Sequence, residues 1–199
     1  MSVRQIVFSN EPQLHEASGR VQRVDDDLEE LVEDLIETMR AADGIGLAAV
    51  QIGVPEQVIV VEVPVVSETE QAEEGEAAAG EPVETRVYVL VNPELVNASE
   101  ELEEAVEGCL SIPGWAGEVE RHRSVTVEAL DRAGQEVRIR AEGLLARVLQ
   151  HEIDHCQGVL FIDRIDDPDK IWRVEEDSAS PTQEQGAGER RGRGAGGQT

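Results

Sequence analysis

Residues 151–155 read His-Glu-Ile-Asp-His and lie inside an apolar stretch, GLLARVLQHEIDHCQGVLF at 143–161. On a helix, His151 and His155 are one turn apart on the same face. This spacing lets two imidazoles bind one metal ion while Glu152 stands beside it as a proton carrier. The motif therefore indicates a catalytic metal site on a helix.

A catalytic metal site usually has three protein ligands and a free position for water. In HExxH peptidases the third ligand follows the second His, as a Glu or another His. Here the segment after His155 contains no further His. Upstream, Cys109 is one of only two cysteines, and its thiolate would complete a Cys-His-His set. The alternative for Cys109 is a small buried hydrophobic residue, the usual role of a free Cys.

Three sequence blocks strengthen the metal interpretation. They are GIGLAAVQIG at 44–53, EGCLSIPG at 107–114 and QHEIDHCQG at 150–158. In this order they resemble the peptide deformylase family, and the likeness runs from Arg4 to Asp163. The resemblance implies an α+β fold in which mixed or antiparallel sheets pack around a central metal-binding helix.

The resemblance also implies a role for each matching residue. The metal ligands would be Cys109, His151 and His155, which hold one divalent ion per chain. Ligand softness alone favours Zn²⁺, whereas the family usually uses Fe²⁺ in the cell, with Zn²⁺, Ni²⁺ or Co²⁺ able to substitute. Glu152 would be the general base, and the Gln51 side chain and Leu110 N–H would stabilise an oxyanion.

Other residues match positions around the family's substrate and metal. Contacts to the substrate are expected from Ile45, Gly46, Leu144 and Val148, which would include a narrow apolar pocket for an unbranched Met side chain. The ligand histidines would be oriented by Glu107, Arg121 and Asp154. For the pocket residues an ordinary core position is the alternative, and for the charged residues an exposed surface position.

The reaction that this resemblance implies is removal of the formyl group from N-formyl-methionine at the start of new polypeptides, with release of formate. One alternative is a general HExxH metallopeptidase, against which the upstream Cys109 argues. A second is a catalytically silent, ribosome-associated member, which we would expect to have lost Glu152, Cys109 or Gln51. Transient ribosome contact is a further expectation, although Arg190, Arg191 and Arg193 stand among glycines and predict weak or absent binding through the tail.

Three positions depart from the common family pattern. Arg147 stands where several members have an apolar pocket residue, and we expect it to extend across the pocket rim with its stem packed. Ala116 stands where many members have an Arg near the peptide. Cys156 replaces a common Leu and is either inert and buried or sensitive to oxidation.

Composition limits the partners. The formal net charge is −26, and Lys170 is the only lysine. This acidity argues against DNA or an anionic membrane as a partner, and it indicates adaptation to high salt or simply an acidic chain. We find no secretory signal, no run of roughly 18 apolar residues and too few cysteines for a disulfide framework, so we expect a cytoplasmic protein.

The chain reads as one catalytic domain over 1–170. Helical spacing predicts an amphipathic helix over 25–42 and a helix carrying HEIDH over 143–157. Strands are predicted at 57–66 and 86–95, and a hairpin at 124–130 and 135–141. We expect 67–85 to be a flexible acidic insertion loop and 175–199 to be a disordered tail.

Overall fold

The computed structural model of this chain describes residues 2–65 and 84–174. Two α-helices are present in these ranges, α1 at Asp26–Ala41 and α2 at Gly143–Cys156. The strands are β1 Gly46–Ala48, β2 Val58–Pro64, β3 Thr85–Ala98, β4 Leu102–Gly108, β5 Trp115–His122, β6 Ser124–Leu130, β7 Glu136–Glu142 and β8 Ile171–Arg173. Short 3₁₀ turns occur at Pro12–His15, Ala49–Ile52, Phe161–Arg164 and Pro168–Lys170. Residues 67–83 of the predicted acidic loop lie outside the described residues, and so does the predicted tail at 175–199. Thr85, the last residue of the predicted loop, belongs to β3.

The strands form two antiparallel sheets. One has five strands in the order β1-β2-β3-β6-β7, and the other has three in the order β4-β5-β8. Helix α2 packs against both sheets, and α1 covers the other face of the larger one. The predicted α+β class, with antiparallel sheets around a central helix, is confirmed. Within the two described ranges, no helix is long and apolar enough to cross a membrane.

Strand β2 is the centre of the core because it is buried on both faces. Ile59, Val61 and Val63 point into the cluster that contains α2. Val58 and Val60 point into the cluster that contains α1. Since successive side chains of a strand face opposite sides, this explains why the segment is a continuous apolar run. The strand thereby holds the two helices on opposite sides of one rigid layer.

Helix α1 begins and ends close to its predicted limits. Its N-cap is Asp25, whose carboxylate accepts a hydrogen bond of 3.4 Å from the Leu28 N–H, and three acidic residues in its first turn complement the helix dipole. Leu28, Val32, Leu35 and Met39 form its buried stripe. The helix supports β1 and β2 from behind, on the side away from α2.

Candidate active site

The two elements that carry the HEIDH and EGCLS motifs meet beneath a cleft. Cys109 directly follows β4, and His151 and His155 occupy the last two turns of α2. One ligand atom from each of these three residues lies within 4.8 Å of the other two. Cys109 Sγ is 3.3 Å from His155 Nε2. These residues form a group that is able to bind a metal ion.

The orientation of His151 is set by a buried carboxylate. His151 Nδ1 lies 2.9 Å from Glu107 Oε2. Because Glu107 accepts this hydrogen bond, Nδ1 carries the proton and Nε2 is the ring nitrogen that could bind a metal. Arg121 in turn grips both oxygens of Glu107, at 2.9 Å from Nε and 3.0 Å from Nη2. Arg121 thus keeps Glu107 in the position from which it orients His151.

Charges around the histidines suit a cation. Burial lowers the pKa of His155 well below its ordinary value, so this imidazole is neutral, as a ligand must be. Burial also acts to lower the pKa of His151, but hydrogen bonds with Cys109 and Glu107 outweigh it and raise the pKa to about 10. The surroundings of His151 therefore stabilise a positive charge. A divalent metal bound by Cys109, His151 and His155 would supply that charge in place of the ring proton.

Glu152 lies beside the ligand group with an available oxygen. Its side chain is buried, and Oε2 has no hydrogen-bond partner among the described residues. Burial raises the pKa of Glu152 to about 7. A carboxyl group with this proton affinity can both accept and release a proton near neutral pH.

The close packing of Glu152 depends on Gly46 in β1. A Cβ added at Gly46 would collide with the Glu152 carboxylate and would come within 2.8 Å of Val148 Cγ1. Because Gly46 has no side chain, β1 can lie directly against the catalytic face of α2. Gly46 therefore lines the cleft directly beside Glu152 and Val148.

Gln51 lies in the 3₁₀ turn that follows β1 and is fully buried. Its Oε1 accepts a hydrogen bond of 2.8 Å from the Ala48 N–H. This bond turns the Nε2 group toward the cysteine, where Nε2 is 3.2 Å from Ser111 Oγ and 3.6 Å from Cys109 Sγ. Gln51 therefore presents a fixed N–H donor next to the ligand group. Leu110 follows Cys109 in the turn between β4 and β5.

An apolar cavity of about 490 Å³ opens onto these groups. Val148 is a buried wall of this cavity, whereas Ile45 and Leu144 stand at its rim and are about half exposed. Additional lining comes from residues that the sequence analysis did not select: Val106, Ile112, Pro113 and Trp115. All four lie in or beside the EGCLSIPG block, so their closeness to Cys109 in the sequence could have predicted that they line the cavity.

Behind the ligands, acidic and basic side chains alternate. Arg121 Nη1 is 2.5 Å from Asp154 Oδ2, and Arg164 Nε donates to the same oxygen at 3.1 Å. Asp154 therefore holds Arg121 rather than a histidine. Arg164 was not predicted, because it lies ten residues after Asp154 in a separate 3₁₀ turn and has no spacing signal. Ser111, the partner of Gln51, was also missed although it stands within the EGCLS block.

The three departures from the family pattern have distinct structural outcomes. The expectation that Arg147 extends across the rim is wrong: its guanidinium turns inward and binds Glu107, because buried acceptors lie within its reach. Cys156 is buried, as one of the two alternatives expected, and burial raises the pKa of its thiol to about 12. Ala116 is buried opposite Trp172 of β8, and the Arg173 guanidinium lies 5.7 Å from the Trp115 ring centroid.

Comparison with known proteins identifies related sequences and structures. The family model for polypeptide deformylase matches residues 3–171. The peptide deformylase of Thermomicrobium roseum is 49% identical over 167 residues, which cover 84% of this chain and 88% of that protein. A peptide deformylase from Natranaerobius thermophilus is 43% identical over 88% of this chain and 99% of its own length.

The crystal structure of a peptide deformylase from Ehrlichia chaffeensis is 41% identical, with a TM-score of 0.71 over 82% of this chain and 88% of that one. A peptide deformylase from Synechococcus elongatus in complex with actinonin is 37% identical, with a TM-score of 0.70 over 84% and 81% of the two chains.

Proposed function

This chain belongs to the polypeptide deformylase family, and we propose that it removes the formyl group from N-formyl-methionine at the start of new polypeptides and releases formate. The strongest support is that Glu152 stands beside the Cys109, His151 and His155 group at the inner end of one apolar cavity. A metal site, a base and an apolar pocket are thus available to one substrate. Residues 1–170 form the catalytic domain in this proposal.

Cys109, His151 and His155 are proposed to hold one divalent ion, Fe²⁺ in the cell, with Zn²⁺, Ni²⁺ or Co²⁺ as substitutes. Their support is the cluster of three ligand atoms within 4.8 Å. When bound, such an ion polarises the formyl carbonyl and lowers the pKa of water. The Glu107 carboxylate orients His151 for ligation, and the Arg121 guanidinium fixes Glu107.

Glu152 is proposed as the general base and later the general acid. Its carboxylate accepts a proton from the attacking water and delivers that proton to the nitrogen of the leaving amine. Support comes from its raised pKa, about 7, which results from burial. An exposed glutamate, with its lower pKa, would be a weaker base toward the attacking water.

Gln51 and Leu110 are proposed to stabilise the negative charge that develops on the formyl oxygen. The Gln51 Nε2 group and the Leu110 backbone N–H are the donors. The hydrogen bond from the Ala48 N–H fixes the Gln51 amide before substrate binds, so little reorganisation accompanies the reaction.

Ile45, Leu144 and Val148 are proposed to bind the methionine side chain. Val148 is buried whereas Ile45 and Leu144 border the opening, so an unbranched apolar chain can enter from the rim and fill the cavity. The Gly46 backbone lies beside Glu152 and is proposed to bind the peptide backbone near the scissile bond.

The proposal is tested by formate release from purified protein. The protein is prepared without oxygen, its metal content is measured, and formyl-Met-Ala-Ser is compared with acetyl-Met-Ala-Ser. We expect formate from the first peptide and no acetate from the second. In a Cys109→Ser variant we expect weaker metal binding or a different bound metal, whereas unchanged metal content would remove Cys109 from the ligand set.

Two other functions are separated by the same preparation. Cleavage of internal peptide bonds without formate release would instead favour a general metallopeptidase. Sedimentation with ribosomes in the absence of either activity would favour a silent binding protein. The native enzyme is proposed to act in the cytoplasm on the nascent chain, with only transient ribosome contact.

A further inference from the structure

Arg147 joins the catalytic helix to the smaller sheet. It lies in α2, one helical turn before His151. Its Nη1 donates hydrogen bonds of 2.9 Å to Glu107 Oε1 and to the Val119 carbonyl oxygen, and Nη2 donates one of 2.7 Å to the Glu103 carbonyl oxygen. The Arg147 side chain is only 12% exposed. Three acceptors on two strands thus hold one guanidinium.

This contact spans the two elements that supply the metal ligands. His151 and His155 belong to α2, whereas Cys109 directly follows β4. The acceptors of Arg147 lie in β4 and in its neighbour β5. The distance between the cysteine thiolate and the two imidazoles therefore depends on how α2 sits against these strands, and Arg147 fixes that arrangement.

Arg147 also completes the hydrogen bonding of Glu107. Glu107 Oε1 accepts from Arg121 Nε and Arg147 Nη1, and Oε2 accepts from Arg121 Nη2 and His151 Nδ1. A carboxylate has about four acceptor positions in total, so all are used. Since Glu107 is buried, loss of one donor leaves a charged oxygen only partly satisfied, which is costly, and weakens the hold on the carboxylate that orients His151.

We infer that Arg147 is a positioning residue for the metal site, which keeps Cys109, His151 and His155 at ligand distance and maintains the Glu107–His151 contact. Arg147 lines the substrate cavity, and its guanidinium is held by acceptors on β4 and β5. The inference rests on the proposed metal-dependent function and assigns the residue an effect on metal retention. Binding of the peptide is then affected much less than binding of the ion.

The test compares Arg147→Met with Arg138→Met in the full-length, Co²⁺-loaded protein. Methionine keeps an apolar stem in the cavity but removes the guanidinium, and Arg138 is an exposed β7 residue paired with Glu128, which serves as the matched control. We expect Co²⁺ transfer to a chelator to be about tenfold faster in Arg147→Met, the effect typical of losing a group that orients a ligand. The thiolate-to-cobalt absorption band should also change, while KM for formyl-Met-Ala-Ser stays close to that of the original protein. Arg147→Lys should give an intermediate rate because its amine can reach only some of the three acceptors.

An unchanged release rate and an unchanged cobalt band in folded Arg147→Met would overturn the inference, even if its Tm were lower, because a purely structural contact affects unfolding alone. If Arg147→Met does not fold, Arg147→Gln is measured in the same way, and the same two outcomes apply. Failure of the proposed function is separate: the original protein would then bind metal but release no formate, while the comparison of release rates would keep its meaning.

Discussion

Glu107 and Glu152 are two buried carboxyl groups of one site whose pKa values move in opposite directions. Burial acts to raise the pKa of Glu107, but hydrogen bonds from His151 and Arg121 outweigh it and lower the pKa to about 2. Among the described residues, no hydrogen bond reaches Glu152 Oε2, and burial raises the pKa of this carboxyl group to about 7. Glu107 therefore stays charged to orient a ligand, whereas Glu152 can exchange a proton. Different surroundings give two identical side chains different roles.

Replacement of Glu152 by Gln tests its role at the level of a single residue. The amide keeps the size of the side chain but cannot accept the proton, so we expect kcat to fall by about 10²–10⁴-fold while metal content is unchanged. A variant with nearly normal turnover would exclude Glu152 as the base. Loss of metal together with activity would show that Glu152 supports the site instead.

The same residue determines the expected pH dependence. The base must be a carboxylate, so kcat/KM should decrease as the pH falls through the pKa of Glu152 and should level off above it. A bound cation favours the carboxylate, so the midpoint in the metal-loaded enzyme should lie below the pKa of about 7 that burial alone gives Glu152. The measurement is kcat/KM between about pH 5 and about pH 8. Glu152→Gln is the control, and its residual kcat/KM should not decrease in this way as the pH falls.

At the scale of elements, activity depends on the contact between β1 and α2. Gly46→Ala would place a methyl group against Glu152 and Val148, so β1 or the carboxylate must move. We expect a loss of about 100-fold or more in kcat/KM, because a shift of about 1 Å in a catalytic group has an effect of this size. The control is Gly19→Ala, at a residue outside the cleft where an added Cβ would lie in ordinary van der Waals contact, 3.6 Å from the Pro55 carbonyl oxygen. Equal activity of the two variants would argue against a tight β1–α2 contact.

Helix α1 also anchors the beginning of the described chain. The buried carboxylate of Asp34 accepts hydrogen bonds of 2.6 Å from Ser2 N and from Arg4 Nε. Burial acts to raise the pKa of Asp34, but the contacts with Arg4 and Ser2 outweigh it, and the pKa lies below its ordinary value of 3.8. The folded state therefore favours the carboxylate, which contributes stability above pH 3.8 and loses it as the pH falls through the lower folded value.

Asp34→Asn is expected to lower the free energy of unfolding by about 1–3 kcal/mol at pH 7, because charged hydrogen bonds are lost from a buried site. The difference from the original protein should remain constant down to mildly acidic pH and become smaller below pH 3.8. Urea unfolding at a series of pH values measures both effects. A difference that persists unchanged at the lowest pH would assign the effect to packing rather than to charge.

Elements with a regular apolar pattern could be predicted from the sequence, and elements without one could not. The continuous apolar run at 58–61 marked β2, and the spacing of HEIDH marked α2. Strand β4, LEEAVEG, is largely exposed and glutamate-rich, and the three-residue β8 is short, so neither has a local signal. Both are stabilised by pairing with β5, which follows β4 after a short turn but lies far from β8 in the sequence. The ligand group was predictable from motifs, whereas the inward turn of Arg147 depends on acceptors from β4 and β5.

For the whole molecule, charge is the dominant feature. The formal net charge of −26 means that folding brings many like charges together. Some are adjacent in the sheets: Glu104 lies directly opposite Glu120, and Glu94 directly opposite Glu128. Like charges at opposed positions destabilise a strand pair. Lys170 reaches Glu104 and Arg138 reaches Glu128, but such exposed ion pairs relieve only part of the repulsion.

Salt should therefore stabilise this protein. The Debye length shortens from about 10 Å at 0.1 M to about 3 Å at 1 M ionic strength, so added KCl screens the repulsion between exposed carboxylates. We expect Tm to rise with KCl concentration, at about 2–4 °C for each kcal/mol of screened repulsion, with metal kept saturating throughout. Glu120→Gln removes one carboxylate from an opposed pair; it should raise Tm at low salt and differ less from the original protein at high salt. A Tm that stays constant or falls as KCl is added would contradict this prediction. It would show that the ion pairs already offset the repulsion between the surface carboxylates.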